Sequence, residues 1–152
     1  MFEKSLKEGE YGEHTVWNLL QKQPKVRNVI DVRDCIKHQE KDIDFLVETI
    51  NRQFYSVEVK SDYKAHESGN MVYEFSSSGK LGCFERTEAD FIFYFIPQNR
   101  EVHMVNVKAL RQYVRKTRPE ERKMGDASTG FLLPIKDLIK NKVIKYTYTD
   151  VY

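Results

Sequence analysis

The chain has 152 residues, a length that suits one compact domain, and we expect a single domain over residues 1–152. A hydrophobic fraction of 40% and a charged fraction of 32% are typical of a folded, soluble protein and not of a disordered one. The longest apolar runs, such as FIFYFI at 91–96, are too short to span a membrane, and the N-terminus shows no secretory signal, so a cytoplasmic location is expected. A formal net charge of +2 is too small to indicate a nucleic-acid partner by itself.

The spacing of apolar residues predicts an α/β order of elements. A helix is expected from about Ser5 to Lys22, and Pro24 marks its end because a proline ring cannot continue a helix. Helical spacing also covers Val107–Lys116 and a short stretch around Leu138, whereas the composition of Thr117–Gly130 predicts a loop. The predicted strands are Val26–Val32, Asp42–Glu48, Phe54–Lys60, Met71–Phe75, Phe91–Ile96, Val102–Val107 and Val143–Tyr148. The expected architecture is a mixed central sheet flanked by helices.

Charged residues on the second and third predicted strands form the most informative pattern in the sequence. Asp44 lies in the run DIDFLV, and Glu58 and Lys60 lie in YSVEVK. If the connecting turn is centred on Asn51, Asp44 lies opposite Glu58 and Asp42 lies opposite Lys60. Two ionised carboxylates about 5 Å apart repel each other strongly unless a cation lies between them. The pattern therefore indicates a cation site beside a lysine.

The residue types in this pattern suit phosphodiester hydrolysis. Oxygen ligands from Asp44 and Glu58, with the backbone carbonyl of Val59, suit Mg²⁺ or Mn²⁺. Such a cation polarises a phosphate and lowers the pKa of a bound water. Lys60 would orient that water or neutralise charge that develops on the phosphate. The alternative is a plain amphipathic hairpin whose exposed face carries a cross-strand ion pair between an aspartate and a lysine.

The same residues resemble the PD-(D/E)xK, or restriction-endonuclease-like, superfamily of phosphodiesterases. The resemblance rests on Asp44 followed by Glu58-Val59-Lys60, and on the helical stretch GEYGEHTVWNLL at 9–20. The later stretches GNMVYEF and GKLGCFERTEADFIFYF are similar to those of small phage and bacterial members. The resemblance covers roughly residues 9–96, with a looser match in FLLPIKDLI. The proline of the family name is absent, since Ile43 precedes Asp44.

The resemblance implies a fold, a reaction and a set of site residues. The implied fold is a restriction-endonuclease-like α/β fold with an αβββαβ core, and the implied reaction is Mg²⁺-dependent cleavage of DNA. Asp44 and Glu58 would bind the metal, with Lys60 assisting. In many members the first helix supplies a further acidic residue. Glu13 fits that position best, with Glu10 one helical turn earlier as the open alternative.

The distribution of basic residues bears on the substrate. Positive charge gathers in the later part of the chain, from Lys108 to Lys145, and a basic surface of this kind can bind a phosphate backbone. An ordinary solvated helix face is the alternative for several of these residues. No recognition helix, zinc finger or RNA-binding signature is visible, so little sequence preference is expected, and RNA is not excluded as a substrate. The residues predicted to bind nucleic acid are Lys80, Arg115, Lys116, Arg118, Arg122 and Lys123.

The sequence therefore predicts a metal-dependent DNA endonuclease. A structure-selective enzyme, such as a Holliday-junction resolvase, is one option within this class, and it would act as a symmetric homodimer because it needs two active sites. The alternative from another class is a domain that keeps the nuclease fold without catalysis and binds nucleic acid or another protein.

Overall fold

The structure is a computed structural model that describes residues 2–125 and 127–152. The helices are α1 (Phe2–Gln21), α2 (Ile36–Gln39), α3 (Ala65–Ser68), α4 (Cys83–Arg86), α5 (Val107–Thr117) and α6 (Ile135–Lys140), with a 3₁₀ turn at Pro97–Asn99. The strands are β1 (Val26–Asp31), β2 (Phe45–Thr49), β3 (Phe54–Ser61), β4 (Asn70–Ser77), β5 (Lys80–Leu81), β6 (Phe91–Ile96), β7 (Glu101–Asn106), β8 (Arg122–Lys123), β9 (Ser128–Pro134) and β10 (Ile144–Tyr148).

The strands form a six-stranded mixed sheet and a smaller four-stranded antiparallel sheet. The larger sheet has the order β1-β2-β3-β6-β7-β10, in which β3 and β6 are parallel and the other neighbours are antiparallel. The smaller sheet has the order β5-β4-β9-β8. This arrangement confirms the predicted α/β class, with a mixed central sheet flanked by helices. Two four-residue helices and strands β4 and β5 occupy the connection between β3 and β6, where the αβββαβ pattern has one helix.

Both faces of the six-stranded sheet are covered. Helix α1 packs on one face, where its buried Val16 and Leu20 join a core that includes Val57 and Phe93. Helix α5, α4 and the smaller sheet cover the other face in a second core that includes the buried Tyr94. Burial of these apolar side chains supplies most of the favourable free energy of folding. Within the described part of the chain, no helix is both long and apolar enough to cross a membrane.

Two predicted elements differ from the structure. The second strand begins at Phe45 and not at Asp42, because Asp42 has a φ of 55°, in the left-handed region that strand residues do not adopt.

The expected loop at Thr117–Gly130 contains β8 and the start of β9. Gly130 ends that expected loop, but it pairs with Glu74, and any Cβ at this position would collide with the carbonyl oxygen of Tyr73. Close approach of two strands thus explains this glycine.

Another glycine sets the distance between α1 and β3. A Cβ on Gly12 would overlap with the Ser61 hydroxyl and lie 3.4 Å from the Ser61 Cβ, whereas a Cβ on Gly9 would meet no atom within 4 Å. The close contact at Gly12 brings the next residue, Glu13, beside the C-terminal end of β3. The absence of a side chain therefore positions the helix against the strand.

We expect alanine to have different effects at the two helical glycines. Gly9→Ala should raise the free energy of unfolding by about 0.5–1 kcal/mol, because alanine is the better helix former and the site is open. Gly12→Ala should gain less than Gly9→Ala, by up to about 1 kcal/mol, since it forces the Ser61 hydroxyl to rotate away. Urea unfolding measures both values. The double variant Gly12→Ala/Ser61→Ala should recover most of the difference, and equal gains at both glycines would contradict the close contact.

Candidate active site

The site lies where β3 continues beyond the start of β2. The first pair of the hairpin joins Phe45 to Val57, so Glu58–Ser61 extend past the β2 strand. On its other edge this segment stays paired with β6. The sequence predicted that Asp44 pairs with Glu58, but the regular ladder ends at Phe45, and the N–H of Asp44 donates to the carbonyl of Val57 instead. The overhang leaves one edge of β3 open toward a cleft.

Asp44 closes the end of the hairpin with its side chain. Its carboxylate Oδ2 accepts a hydrogen bond of 2.7 Å from the backbone N–H of Val59, in the place where a further β2 residue would otherwise pair. The backbone of Asp44 bonds on both sides, donating to the carbonyl of Val57 at 2.8 Å and accepting from the N–H of Val32 at 3.0 Å. Because the N–H and C=O of a strand residue point to the same edge, the Val59 carbonyl also faces the open edge.

Glu58 is a buried carboxylate with only one of its oxygens partnered. It is 4% exposed, and its Oε1 lies 3.2 Å from the Nζ of Lys60. Its Oε2 is buried and has no hydrogen-bond partner among the described residues. Burial raises the pKa of Glu58 to about 7, although the positive charge of Lys60 opposes the rise. A buried acceptor without a partner is destabilising, so this oxygen indicates a place for a ligand.

Lys60 carries the positive charge at this end of the site. Burial by itself would lower the pKa of Lys60, but the neighbouring Glu58 carboxylate, with other negative groups that include Asp44, raises it overall. Lys60 therefore keeps its proton throughout the physiological pH range.

Glu13 reaches the site from α1. Its half-buried carboxyl lies near enough to Asp44 to be affected by its charge, and 3.7 Å from the guanidinium Nη1 of Arg33. Burial, followed by the negative charge of Asp44, raises the pKa of Glu13 to about 7, against the opposing effect of Arg33. Burial also raises the pKa of Asp44. The raised pKa values favour the protonated forms of both carboxyls, and a bound cation would favour the ionised forms instead.

The four side chains predicted to act together line one cleft of about 580 Å³, which we call the acidic cleft. Glu13, Asp44, Glu58 and Lys60 come from α1, the start of β2 and the overhang of β3. Glu10 lines the same cleft but is exposed. In the described residues, the charged side chains that line the acidic cleft are Glu8, Glu10, Glu13, Asp42, Asp44, Glu58, Arg33 and Lys60.

Asp42 does not lie opposite Lys60, contrary to the sequence prediction. Its left-handed backbone turns it out of the strand, and its Oδ2 accepts a hydrogen bond of 2.6 Å from the Nε of Arg86. Its backbone carbonyl accepts a hydrogen bond of 3.1 Å from the hydroxyl of Thr87. Asp42 thus fixes the loop after α4, and Arg86 neutralises its charge.

Sequence reasoning missed two groups around the site, Arg33 and the loop at Thr87. Arg33 directly follows Val32, whose N–H bonds to the carbonyl of Asp44. Only the pairing of β1 with β2 brings these residues close together. Thr87 lies beside Glu58, and its carbonyl accepts a 2.6 Å hydrogen bond from the guanidinium of Arg111. Arg111 belongs to the basic part of the sequence, yet it binds protein carbonyls and holds this loop in place.

The six residues predicted to bind nucleic acid do not form one patch at the cleft. All six are exposed, and within residues 2–125 and 127–152 none of them lines the acidic cleft. Arg115 and Lys116 lie in the last turn of α5, and Arg118 follows it. Lys80 lies on β5 and Arg122–Lys123 form β8, the two opposite edges of the smaller sheet, roughly 14 Å apart at three strand spacings. Their binding role stays a prediction.

The donor atoms fit a hard cation that keeps much of its water. In the part of the chain that the structure describes, no group of three or more His, Cys, Asp or Glu side chains is arranged to hold a metal ion by itself. Asp44, Glu58 and the Val59 carbonyl offer oxygen ligands only, and Mg²⁺ characteristically takes one or two carboxylates together with waters. The unpartnered Glu58 Oε2 and the proximity of Glu13 to Asp44 fit that class of ion.

Comparison with known proteins relates the fold to that of a nuclease. No protein-family model matches the sequence, and no curated protein matches it. Among solved structures, the chain is similar to a bacterial homing endonuclease, I-Ssp6803I, with a TM-score of 0.50 and 14% sequence identity. The match covers 70% of this chain and 71% of that chain. At this identity the similarity is one of fold, and the α/β fold of this chain is thus one that a homing endonuclease also uses.

We expect the buried carboxyls to make the metal-free protein less stable as the pH rises. The pKa values of Glu13 and Glu58 are about 7 in the folded state and near 4.5 without the fold, so folding favours their protonated forms. Their stabilising contribution is complete below pH 4.5 and is lost as the pH rises through about 7. Urea unfolding in chelator, from pH 4 to pH 8, measures the effect.

The matched control is Glu13→Gln/Glu58→Gln, which keeps the shape of both side chains and removes both titrations. The unfolding free energy of the wild type minus that of this variant should fall across the same pH window. The difference isolates the two carboxyls from buried His103, whose lowered pKa acts in the opposite direction. A difference that is independent of pH would contradict the raised pKa values.

Proposed function

We propose that this protein is a metal-dependent DNA endonuclease of the PD-(D/E)xK type. One observation carries the proposal: Glu13, Asp44, Glu58 and Lys60 converge from separate elements on one cleft, and a buried oxygen of Glu58 faces no partner among the described residues. The similarity of the fold to that of a homing endonuclease supports the same conclusion. An ordinary amphipathic hairpin would carry its acidic and basic residues on an exposed face, where they form pairs, and would not bury one unpartnered carboxylate oxygen.

In the proposed site, Asp44, Glu58 and the Val59 carbonyl bind Mg²⁺ or Mn²⁺. When bound, the metal polarises the scissile phosphate and lowers the pKa of a water. The second oxygen of Asp44 stays engaged by the Val59 N–H, which fixes the carboxylate at the open edge of β3. The cation also removes the repulsion among the three clustered carboxyls.

Lys60 and Glu13 supply the proton chemistry and charge stabilisation. The Lys60 ammonium, held at 3.2 Å from Glu58, donates hydrogen bonds to the attacking water or to a phosphate oxygen on which charge develops. Glu13, with a pKa of about 7, accepts or holds a proton beside Asp44 near neutral pH. Water attacks phosphorus and gives up a proton, which Glu13 would accept; the bond from phosphorus to one sugar oxygen breaks, and that oxygen takes up a proton from solvent.

The proposed substrate is DNA, cut with little sequence preference. The exposed basic residues on α5, β5 and β8 would contact the phosphate backbone away from the cleft. Contacts to phosphates position a duplex without reading its sequence. Action on RNA, selectivity for branched DNA and the homodimer that junction resolution requires stay predictions.

A plasmid-nicking assay tests the proposed reaction. The wild type should nick supercoiled plasmid in Mg²⁺ or Mn²⁺ and should lose this activity in chelator. Asp44→Asn and Lys60→Met should each reduce the rate by about 10²-fold or more, since each removes a group that acts on the reacting phosphate. Lys145→Met is the matched control, because Lys145 is exposed on β10, three strands from β3 in the sheet. Nicking that survives in chelator or in Asp44→Asn would refute the proposal.

Metal binding can be measured without cleavage. Titration calorimetry with Mn²⁺ should show one or more sites that Asp44→Asn and Glu58→Gln weaken about tenfold or more, because each substitution removes a charged ligand. Affinity should increase as the pH rises through about 7, with release of protons from Glu13 and Glu58. Equal affinity in the wild type and both variants would remove these residues from the metal site.

A further inference from the structure

Arg33 is the second cation of the acidic cleft, beside Lys60. It lies two residues after β1, and the residue before it, Val32, donates a 3.0 Å hydrogen bond to the carbonyl of Asp44. Its side chain faces Glu13, whereas Lys60 faces Glu58. The two positive side chains thus lie beside different carboxyls of the same cleft.

Asp31 fixes the orientation of the Arg33 guanidinium. The Nε donates to Asp31 Oδ1 at 2.9 Å, and the Nη2 donates to Oδ2 at 2.7 Å. The group also lies over the ring of Phe45, at 5.6 Å from the ring centre. The side-chain amide of Gln39 donates to the backbone carbonyl of Arg33 at 2.6 Å. A guanidinium held by a bidentate carboxylate and an aromatic ring keeps its remaining donors in a fixed direction.

The remaining donors face the cleft. The Nη1 of Arg33 lies 3.7 Å from Glu13, which is longer than a hydrogen bond, and the Arg33 side chain is 37% exposed. Arg33 and Lys60 are the cations among the described residues that line the cleft, against six carboxylates. A phosphate that enters so acidic a space is repelled unless cations face it.

We propose that Arg33 is a phosphate-binding residue that holds the DNA backbone on the Glu13 side of the acidic cleft, while Lys60 acts on the Glu58 side. This inference rests on the proposed nuclease function. The planar guanidinium can bind two oxygens of one phosphate, which a lysine cannot do with the same geometry. Asp31 serves as its positioning residue.

The structure offers a control in Arg27, which lies on β1, the strand that leads to Arg33. Its Nε lies 4.0 Å from the Oε1 of Glu48, and its side chain is 46% exposed. Among the described residues that line the acidic cleft, neither Arg27 nor Glu48 is present. Arg27→Gln therefore removes the same charge and an ion pair with a carboxylate outside the proposed phosphate site.

The test measures KM and kcat on a short fluorescent duplex in Mg²⁺, and the Kd for the same duplex in Ca²⁺. Arg33→Gln should raise KM and Kd about tenfold, whereas Arg27→Gln should change them by less than about twofold. Arg33→Lys should recover part of the loss, because it restores the charge without the planar fork. Asp31→Asn should raise KM and Kd by less than Arg33→Gln does, because Arg33 keeps its charge and loses only its fixed orientation.

A metal titration separates phosphate binding from a structural clamp between α1 and β1. Arg33→Gln should leave Mn²⁺ affinity unchanged or increase it, because a cation beside the carboxyls is lost, even though DNA affinity falls. A clamp would instead make Arg33→Gln and Asp31→Asn equal in every assay, with lowered thermal stability. Equal effects of the two variants would overturn the inference, and so would KM and Kd values of Arg33→Gln that equal those of the wild type. In either case the proposed function stands. If the wild type fails to nick plasmid, both fall together.

Discussion

The hydrogen bond from the Val59 N–H to the Asp44 carboxylate is the interaction on which the site depends. It occupies the point where β2 stops and β3 continues, so that a side chain takes the role of the next backbone residue. Because the Asp44 carboxylate accepts this bond, the edge of β3 stays open while the Val59 N–H keeps a partner. A backbone N–H without a partner would be unfavourable. The same bond fixes an acidic side chain at that edge. An end of the sheet thus becomes a candidate binding site at small cost in backbone hydrogen bonding.

The clustered carboxyls oppose folding, and the surrounding structure compensates for them. Glu58 is buried with one oxygen unpartnered, and Glu13 lies near Asp44. Such groups destabilise a fold by several kcal/mol unless partners or protons neutralise them. Two apolar cores on opposite faces of the sheet hold the elements that carry these groups. Arg111, through the carbonyls of the loop after α4, restrains the segment next to Glu58. Local instability of this kind is common where a protein binds a charged ligand.

The sequence was informative where the determining contacts were local. The hairpin register followed from a short turn and a period of two, so the pairing of Phe45–Glu48 with Phe54–Val57 could be derived from the residues alone. Asp42 was misplaced because its left-handed backbone depends on Arg86 and Thr87, more than forty residues away in sequence. Arg33 was missed for the same reason, since only strand pairing brings it to the site. Strand β9 resembled a loop because its serine, threonine and glycine gain strand geometry from the ladder with β4 and not from their own propensity.

Acidic and basic residues are distributed unevenly between the cleft and the exposed surface, and this distribution affects how a nucleic acid would approach the protein. The cleft holds six carboxylates and two cations among the described residues, whereas the six basic residues predicted to bind nucleic acid lie at the end of α5 and on both edges of the smaller sheet. A polyanion would therefore be attracted by those basic residues and repelled by the acidic cleft. A bound divalent cation reverses the second effect at the one place where chemistry would occur. Binding of the phosphate backbone and cleavage would then be separate properties, and only cleavage would require the metal. Because surface contacts to phosphate weaken with salt while buried charges are screened much less, the two properties should also differ in their dependence on ionic strength.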